Sequence, residues 1–515
     1  MRRLPISIQD FAELRQEGYL YVDKTEQIHA LLQTGKLLFL ARPRRFGKSL
    51  LITTLREIFR GNQELFQGLW IEDKLSWEAY PVLLLNFNDI DYREQTLAAA
   101  LDQYVDRLAA QAAVRLTSGD YKSKFLELIV QLSETQKVVL LVDEYDKPIT
   151  DLLENDAKVE EHIGTLKNLY SVLKSTQADH IHFALFTGVS KYGKLSVFSD
   201  LNNLLDITLD RRFATLLGYT EPELATYFGE YLARLALTQG IEQAELLERV
   251  RFWYDGYSWD GTNRLYVPYS TLILFEQQTF GNHWFATATP SFLLKLLRLQ
   301  KLPAYELEAI DADTTFMDSA DVDQISIQTL LFQTGYLTVK RLHFSAFGEP
   351  IYTLGYPNYE VQQAFQRHLL ADYLNVSTGR ISASILNRLQ KALHAQDVEA
   401  FINILKSVFA AIPNTLFLAK EAYYHSVFYL LLNLLGFTID VEQLTNRGRI
   451  DAVLELQNII YIIEFKLSTA KIALEQIRNR GYAVAYQNRG KPILLLGIAF
   501  DTEQRNLADW QSEQV

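Results

Sequence analysis

Two carboxylates and a lysine stand on neighbouring apolar, β-prone runs near the end of the chain. The residues between the runs, Gln457-Asn458, suit a two-residue hairpin turn, because Asn tolerates a positive φ. With that loop length Asp451 comes directly opposite Glu464, and cross-strand partners have Cβ atoms about 5 Å apart. Lys466 is two residues beyond Glu464, so it shares the same face of the strand. The sequence therefore predicts that two acids and a lysine converge on one spot.

This cluster has the chemistry of metal-assisted phosphodiester cleavage. Two facing carboxylates repel each other unless a cation lies between them, and Mg²⁺ prefers carboxylate and water oxygens. The cation polarises a phosphate and lowers the pKa of a bound water, while a lysine can help to position or deprotonate that water. The alternative is a hairpin face that carries solvated charges, since Glu-x-Lys on its own is common. We expect Mg²⁺ here, with Mn²⁺ as a possible substitute.

A second group of candidate residues follows a short apolar strand at Leu37–Leu40. The run Arg42-Pro43-Arg44-Arg45-Phe46-Gly47-Lys48-Ser49 precedes a helical pattern, and strand, Gly-Lys-Ser and helix form the setting of a phosphate-binding P-loop. In such a loop backbone N–H groups surround the phosphate, a lysine adds charge and a hydroxyl holds Mg²⁺. Lys48 and Ser49 fit these roles, but Arg42 stands where the motif has its first glycine. An ordinary helix start is the open alternative.

Further candidates follow two other apolar strands. Asp143 and Glu144 end the run Val138–Val142, and ligands of open α/β sheets bind at the carboxyl ends of the strands. Asp143 suits the Mg²⁺ shell and Glu144 the orientation of an attacking water; a turn with helix N-caps is the alternative. Thr187 ends the run Ile181–Phe186, where it could sense an outer phosphate or simply close the strand.

The elements that must position these residues alternate between strands and longer helices. With a strand at Val82–Phe87 and helical patterns at Glu94 to about Leu116 and Tyr121 to about Ser133, residues 1–215 are predicted to form an α/β domain with a parallel sheet. Residues 216–400 are expected to be a mainly helical middle region. Residues 401–515 are expected to form a smaller, C-terminal α/β domain.

The composition narrows the classes of function. The 515 residues are 48% hydrophobic and 12% aromatic, which is ample for large cores, and a net charge of −12 argues against a globally basic nucleic-acid coat protein. The absence of cysteine excludes disulfides, Cys-ligated zinc and thiol nucleophiles. No apolar run approaches the roughly 18 residues of a membrane span, and no signal-peptide pattern opens the chain. We therefore expect no membrane partner and a cytoplasmic location.

The N-terminal motifs together resemble the AAA-ATPase-like family of prokaryotic proteins. The resemblance rests on Tyr21–Thr25, the loop Arg42–Ser49, Asp143–Pro148, Thr187–Ser190, Phe198–Asn203 and Gly218–Glu221. In that family an arginine at the first P-loop position is the usual form. The resemblance implies ATP as cofactor, with Glu144 catalytic, Ser49 and Asp143 holding the metal, and the following residues at the nucleotide: Arg42, Arg44, Arg45, Phe46, Gly47, Lys48, Ser49, Asp143 and Thr187.

The segment from about residue 405 to about residue 510 resembles the PD-(D/E)XK nuclease superfamily. The matching stretches are Glu421–His425, Gly448–Asp451, Glu464–Lys466, and Gln476 with Tyr482 on the following helix. The resemblance implies a restriction-endonuclease-like domain in which Asp451 and Glu464 bind metal, Lys466 is catalytic and Glu421 completes the acid cluster. Gln476 and Tyr482 would support the site or contact the nucleic-acid backbone.

The leading hypothesis is an ATP-binding protein that couples a P-loop ATPase-like module to a Mg²⁺-dependent nuclease module. Its expected partners are a nucleotide and nucleic acid, with DNA favoured over RNA. The alternative is a non-cutting, ATP-dependent binding, signalling or scaffold protein whose C-terminal domain is structural. An oligomer is compatible with either hypothesis.

Overall fold

The computed structural model describes the chain except at residues 192–193, 286–292, 295–296, 298–303, 314–325, 375–382, 411–420, 436–438, 446–447, 502 and 504–505. At residues 195, 383–384, 421–425, 439–445 and 448–450 it describes the backbone alone. The chain folds into two compact units, Met1–Leu293 with Ala309–Val361, and Leu294–Glu308 with Gln362–Val515. The predicted division at residues 215 and 400 stays a prediction.

The first unit is built on a parallel sheet. Its strands are β1 (Leu37–Ala41), β2 (Val82–Asn86), β3 (Val138–Asp143), β4 (Ile181–Gly188) and β5 (Leu205–Asp206). They lie in the order β2-β3-β4-β1-β5, and every neighbouring pair is parallel. Strands β1 and β3 are buried throughout, as expected of continuous apolar runs in a sheet covered on both faces. The predicted parallel α/β architecture is confirmed, and the carboxyl ends of β1, β3 and β4 meet at one edge.

Helices connect and cover these strands. They are α1 (Phe11–Gln16), α2 (Thr25–Leu32), α3 (Lys48–Phe59), α4 (Leu97–Gln111), α5 (Tyr121–Leu132), α6 (Lys147–Thr150), α7 (Asp156–Tyr170), α8 (Val172–Thr176) and α9 (Lys194–Val197). The helix predicted from Glu94 begins three residues later, because the Thr96 side chain accepts a hydrogen bond from the Ala99 N–H and caps the first turn. The helix predicted from Tyr121 begins where expected.

The rest of the first unit contains helices and a small antiparallel sheet. Its helices are α10 (Glu221–Gln239), α11 (Gln243–Tyr254), α12 (Pro268–Gln277), α13 (Ile327–Thr334) and the start of α14 (Tyr359–Tyr373). Strands β6 (Ile310–Ala312), β7 (Thr338–Phe344) and β8 (Pro350–Gly355) pair in the order β6-β8-β7. The middle of the chain is rich in helices, as predicted, but the sheet was not foreseen, because its strands alternate weakly and leave much of β7 exposed.

The second unit has a mixed sheet flanked by helices. Strands β9 (Ile439–Thr445), β10 (Gly448–Glu455), β11 (Ile460–Lys466), β12 (Ile493–Asp501) and β13 (Asn506–Gln514) lie in the order β13-β12-β11-β10-β9. Only β11 and β12 are parallel among these pairs, and helix α18 (Ala470–Arg480) crosses between them. The other helices are α15 (Ala383–His394), α16 (Val398–Ala410) and α17 (Glu421–Leu434).

The hairpin that carries the acid–lysine cluster has the predicted register. The Leu456 N–H donates to the Ile459 carbonyl at 2.8 Å, so Gln457-Asn458 form the whole loop. The ladder continues back to Ala452 opposite Ile463. Within the described residues, no helix combines the length and the apolar character that crossing a membrane requires.

Candidate functional site

The P-loop connects buried β1 to helix α3. Gly47 is the N-cap of the helix, and Lys48 is its first residue. Lys48 is 5% exposed, and its ammonium donates to the carbonyls of Arg42 at 2.9 Å and Pro43 at 3.0 Å. Burial lowers the pKa of Lys48, and the negative charges of the acids after β3 oppose that shift. The lysine therefore closes the loop on itself while it faces the acids at the neighbouring strand end.

A cavity of about 1350 Å³ opens in front of this loop. The predicted site residues that line it are Arg44, Arg45, Gly47, Lys48, Ser49 and Glu144. The helix N-terminus contributes backbone N–H groups, and two arginines add positive charge, which is the arrangement that holds phosphate. The cavity is large enough for a nucleotide, since ligand pockets measure roughly 300–1,000 Å³.

Glu144 enters the cavity from an unusual backbone conformation. Its φ of +56° lies in the left-handed region, which costs a non-glycine residue about 1–3 kcal/mol. Burial raises the pKa of the Glu144 carboxyl, Lys48 opposes this shift, and the charges of Asp143 and Asp146 add to it. The geometry brings Glu144 and Lys48 to the same cavity, as a water-orienting acid beside a phosphate site requires.

The other strand-end residues tie β3 to β4 and do not line the cavity. The Thr187 hydroxyl donates to the Asp143 carboxylate at 2.7 Å, and Asp143 is 3% exposed. Asp146 is 1% exposed and accepts from the Ser190 N–H at 2.7 Å and from the Ser190 hydroxyl at 2.8 Å. The predicted Mg²⁺ role of Asp143 and the phosphate-sensing role of Thr187 stay predictions. In the structure these residues fix the position of the strand end that carries Glu144.

Arg42 and Phe46 face away from the cavity. The Arg42 guanidinium donates to the carbonyls of Ala41, Thr208 and Phe213, and it lies 4.1 Å from the centre of the Trp259 ring. Phe46 packs edge-on against Trp259 with ring centroids 5.2 Å apart. Both were predicted at the nucleotide, but their contacts lie behind the loop. Arg42 replaces the first glycine of the motif with a side chain that anchors the start of the loop.

The sequence reasoning missed several residues that line the cavity. Asn88 follows β2 and stands close enough to Glu144 to hold down the pKa of that carboxyl. Tyr269 also lines the cavity, and the Arg45 guanidinium lies 4.5 Å from the centre of its ring. The available signals were the polar residues that end β2 and the Val-Pro-Tyr stretch at Val267–Tyr269, although the sequence of the latter favours a turn with buried aromatics over a ligand role.

The acid–lysine site lies on the β10–β11 hairpin of the second unit. Glu464 is 1% exposed, and one carboxylate oxygen, Oε1, accepts from Lys466 Nζ at 3.0 Å and from Gln476 Nε2 on helix α18. Asp451 accepts from the Phe465 N–H at 2.8 Å, so its carboxylate lies across the hairpin beside Glu464. The predicted pairing therefore brings Asp451, Glu464 and Lys466 together.

The electrostatics of this site fit a bound cation. Burial raises the pKa of Glu464 to about 7, Asp451 adds to the shift and Lys466 opposes it. The second oxygen of Glu464, Oε2, is buried and has no hydrogen-bond partner among the described residues. A buried carboxylate oxygen without a donor is costly unless a cation or proton satisfies it. Carboxylate oxygens are the donor set that Mg²⁺ prefers, so the residues present fit this metal.

The structure bears differently on the other residues predicted at this site, which are Glu421, Gln476 and Tyr482. No group of three His, Asp or Glu residues suited to a metal occurs within the part of the chain that the structure describes. Glu421 begins helix α17, but its side chain lies outside the described residues, and its role as a further acid stays a prediction. Gln476 contacts Glu464, as a supporting residue would. Tyr482 is 2% exposed within the apolar core beside α18, so packing support is the role that its burial favours.

Comparisons with known proteins give a match in each half of the chain. Residues 5–198 match a family model described as a predicted AAA-ATPase, and residues 419–510 match the PD-(D/E)XK nuclease superfamily. Over 527 aligned positions the chain is 37% identical to an uncharacterized protein in the vnfD 5′ region of Azotobacter chroococcum mcd 1, covering 100% of this chain and 99% of that protein.

The fold and the two matches define a class of protein that joins an AAA-ATPase-like domain to a PD-(D/E)XK nuclease superfamily domain. Within that class, the chain belongs to the same family as the Azotobacter protein, which it matches from end to end.

Proposed function

We propose that this protein is an ATP-binding, Mg²⁺-dependent nuclease that cleaves phosphodiester bonds of nucleic acid, DNA in preference to RNA. The observation that carries the proposal is the buried, unpartnered Oε2 of Glu464, which stands beside Asp451 and Lys466 within the described residues. An acid pair that serves only to stabilise a hairpin gains nothing from this arrangement, because an ionised oxygen without a partner costs stability.

Each residue of the acid–lysine site has a distinct task. Asp451 and Glu464 would hold Mg²⁺, which polarises the scissile phosphate and acidifies a bound water. Gln476 holds Glu464 through Oε1 and so leaves Oε2 for the metal. Lys466, whose ammonium lies 3.0 Å from Oε1, is placed to orient the water and to stabilise charge that develops on the phosphate. A water oxygen bonds to phosphorus and gives up a proton to solvent, the bond to the leaving oxygen breaks, and that oxygen takes a proton from solvent.

A cleavage assay tests the nuclease half. Linear and circular DNA and single-stranded RNA are incubated with the full chain and Mg²⁺ or Mn²⁺, and products are resolved by gel. We expect Asp451→Asn and Lys466→Ala to lower the cleavage rate by about a hundredfold or more. The controls are Asp509→Asn and Lys471→Ala, which change exposed side chains in the same unit. If the site variants cut as well as the controls do, the cleavage activity belongs to another site.

The ATP half of the proposal rests on the cavity in front of the P-loop. Lys48 and the arginines Arg44 and Arg45 supply positive charge, and Ser49, which lines the same cavity, would hold Mg²⁺ through its hydroxyl. Glu144 lines the same cavity, where a carboxylate whose pKa is raised by burial can orient a water at the outer phosphate. Because Lys48 donates to two loop carbonyls, we infer that nucleotide binding draws its ammonium from these carbonyls to phosphate.

Nucleotide binding is measured with a fluorescent ATP analogue and Mg²⁺. We expect Lys48→Ala to weaken binding by roughly tenfold to a hundredfold, because it removes a charge-assisted contact worth about 1.5–3 kcal/mol. Lys174→Ala, a change at an exposed lysine on α8, serves as the control and should bind as the wild type does. Unchanged affinity in Lys48→Ala would remove the P-loop from the nucleotide site.

A further inference from the structure

The rear of the P-loop is held by side chains far along the chain. We call Tyr257, Trp259, Trp284 and Gly335 the rear cluster. Trp259 lies against Arg42, and the Tyr257 ring lies 4.8 Å from that of Phe46. Gly335 has a φ of +93°, and a Cβ at this position would stand 2.7 Å from Cβ of Pro43. The loop therefore faces the cavity in front and packs against the rear cluster behind.

Trp284 forms a hydrogen bond from the rear to the backbone of a loop residue whose side chain lines the cavity. Its indole Nε1–H donates to the Arg44 carbonyl at 3.0 Å, while the Arg44 side chain lines the cavity. Any rotation of the Arg44 peptide that accompanies phosphate binding in front must therefore change the bond to Trp284 behind. Trp284 is 3% exposed and has little freedom to move independently of its neighbours.

The backbone of Trp284 continues the connection. Its N–H donates to the Glu360 carboxylate at 2.6 Å, and Glu360 is fully buried. Glu360 is the second residue of α14 (Tyr359–Tyr373), and the compact first unit ends at Val361, so α14 carries the chain into the second unit. One residue thus hydrogen-bonds both the loop at the cavity and the start of the helix that leads to the unit with the acid–lysine site.

We propose that Trp284 is a positioning residue that transmits nucleotide occupancy of the P-loop to helix α14. The inference rests on the proposed ATP site and adds the route of its coupling. Ligand in front of the loop fixes the Arg44 peptide, the indole N–H follows the Arg44 carbonyl, and the Trp284 backbone holds Glu360 and the first turn of α14. Small residues would be enough for phosphate binding alone. In this proposal the larger Arg42, Pro43 and Phe46 pack the loop against the rear cluster.

Hydrogen exchange of the full chain, with and without Mg²⁺ and a non-hydrolysable ATP analogue, tests this route without relying on nuclease activity. In the wild type we expect slower amide exchange both in the P-loop and in α14, by at least about fivefold, the lower range of allosteric coupling. Protection of the P-loop without any change in α14 would overturn the inference and leave the ATP site standing. Absence of protection at both places would overturn the ATP site and the inference with it.

A variant isolates the indole bond. Trp284→Phe keeps an aromatic ring beside Tyr336 but loses the N–H that donates to Arg44. We expect it to keep nucleotide affinity within about fivefold and P-loop protection, but to lose protection of α14. Trp70→Phe, at a 40% exposed position, should retain both. If nucleotide slows amide exchange of α14 in Trp284→Phe as it does in the wild type, the indole hydrogen bond carries no coupling. Should Trp284→Phe fold poorly, the wild-type comparison still tests whether nucleotide occupancy of the P-loop reaches α14.

Discussion

The P-loop site and the acid–lysine site differ in how completely the protein satisfies its own polar groups. In the P-loop site the ammonium of Lys48 already has two carbonyl partners, and Asp143 and Asp146 accept hydrogen bonds from the end of β4 and the loop after it. In the acid–lysine site a buried oxygen of Glu464 has no partner within the described residues. In the first site Lys48 must exchange these contacts to bind a ligand. In the second site Lys466 donates to the other oxygen of Glu464, which leaves Oε2 for a cation such as a metal.

This difference suggests a division of labour. A loop whose lysine is satisfied without ligand can persist in two states, since phosphate replaces contacts of similar kind. A carboxylate pair whose proton is lost only near neutral pH binds metal without rearranging the strands that hold it. The four predictions below test whether the contrast is real, beginning with the largest expected effect.

Replacement of Glu464 by Gln should affect function and stability in opposite directions. Cleavage should fall by about a hundredfold or more, because the amide cannot serve as an anionic metal ligand. Stability without metal should not fall and should rise at pH 8, since a buried ionised oxygen is removed at constant shape. Thermal unfolding in EDTA and the cleavage assay provide the two measurements, with Glu475→Gln on the exposed face of α18 as control. A large loss of stability in EDTA would show that the protein stabilises the Glu464 carboxylate without a metal.

Gly188→Ala should disturb the P-loop site through packing. A Cβ at residue 188 would stand 2.6 Å from a ring carbon of Tyr145 and 2.7 Å from Oδ1 of Asp146. Overpacking of this kind costs about 1–3 kcal/mol and should also displace Glu144. Chemical unfolding and nucleotide affinity measure the two effects.

Gly164→Ala is the matched control for that change. It lies within helix α7 with nothing close to its Cβ, so alanine should be neutral or stabilise by up to about 1 kcal/mol. Equal stability of the two variants would mean that the contacts between β3 and the end of β4 do not require a glycine.

Two buried glutamates, one in each unit, should make the free energy of unfolding depend on pH. Burial raises the pKa of both Glu360 and Glu464 from 4.5 to about 7. Because the folded pKa exceeds the unfolded value, the folded state binds protons more tightly, and each group lowers stability as pH rises from about 4.5 through 7. Glu360→Gln should therefore match the wild type near pH 5 and exceed its stability by about 1–3 kcal/mol near pH 8.

Mg²⁺ distinguishes the two carboxylates. It should restore stability at pH 8 through Glu464, so its effect should persist in Glu360→Gln and vanish in Glu464→Gln. Urea unfolding at both pH values, with and without Mg²⁺, measures the differences. If Mg²⁺ still stabilises Glu464→Gln at pH 8, the metal binds at another site.

Much of this architecture could be read from the sequence because local rules decide it. The apolar runs of β1, β3 and β4 admit few alternatives in a parallel sheet, and a two-residue loop fixes the register that brings Asp451 to Glu464. The roles of residues at the site depend on which way side chains point, and there the sequence was less informative. Nothing local distinguishes an Arg42 that meets phosphate from one that meets Trp259, since the two lie 217 positions apart (259 − 42).

The rear cluster and the antiparallel sheet of the first unit could not be foreseen for the same reason. Gly335 is close to Pro43, and Trp284 bonds to Arg44, only because the fold brings distant segments together. Strand β7 is largely exposed, so its pattern lacks the alternation that reveals a half-buried strand. The positive φ of Glu144 is likewise not a conformation that glutamate prefers, so no signal in the sequence indicated it.

The smallest predicted effect concerns Tyr482, which was expected either to support the acid–lysine site or to contact the nucleic-acid backbone. Its ring is buried among Val453, Leu474 and Ile477, so Tyr482→Phe removes a hydroxyl and leaves the packing intact. We expect a stability loss of about 1 kcal/mol or less and little change in nucleic-acid affinity. Tyr486→Phe, in the same core, is the matched control. A loss of DNA affinity in Tyr482→Phe alone, measured by fluorescence anisotropy with Lys466→Ala as a non-cleaving background, would mean that the hydroxyl reaches nucleic acid in the complex and that this side of α18 opens when substrate binds.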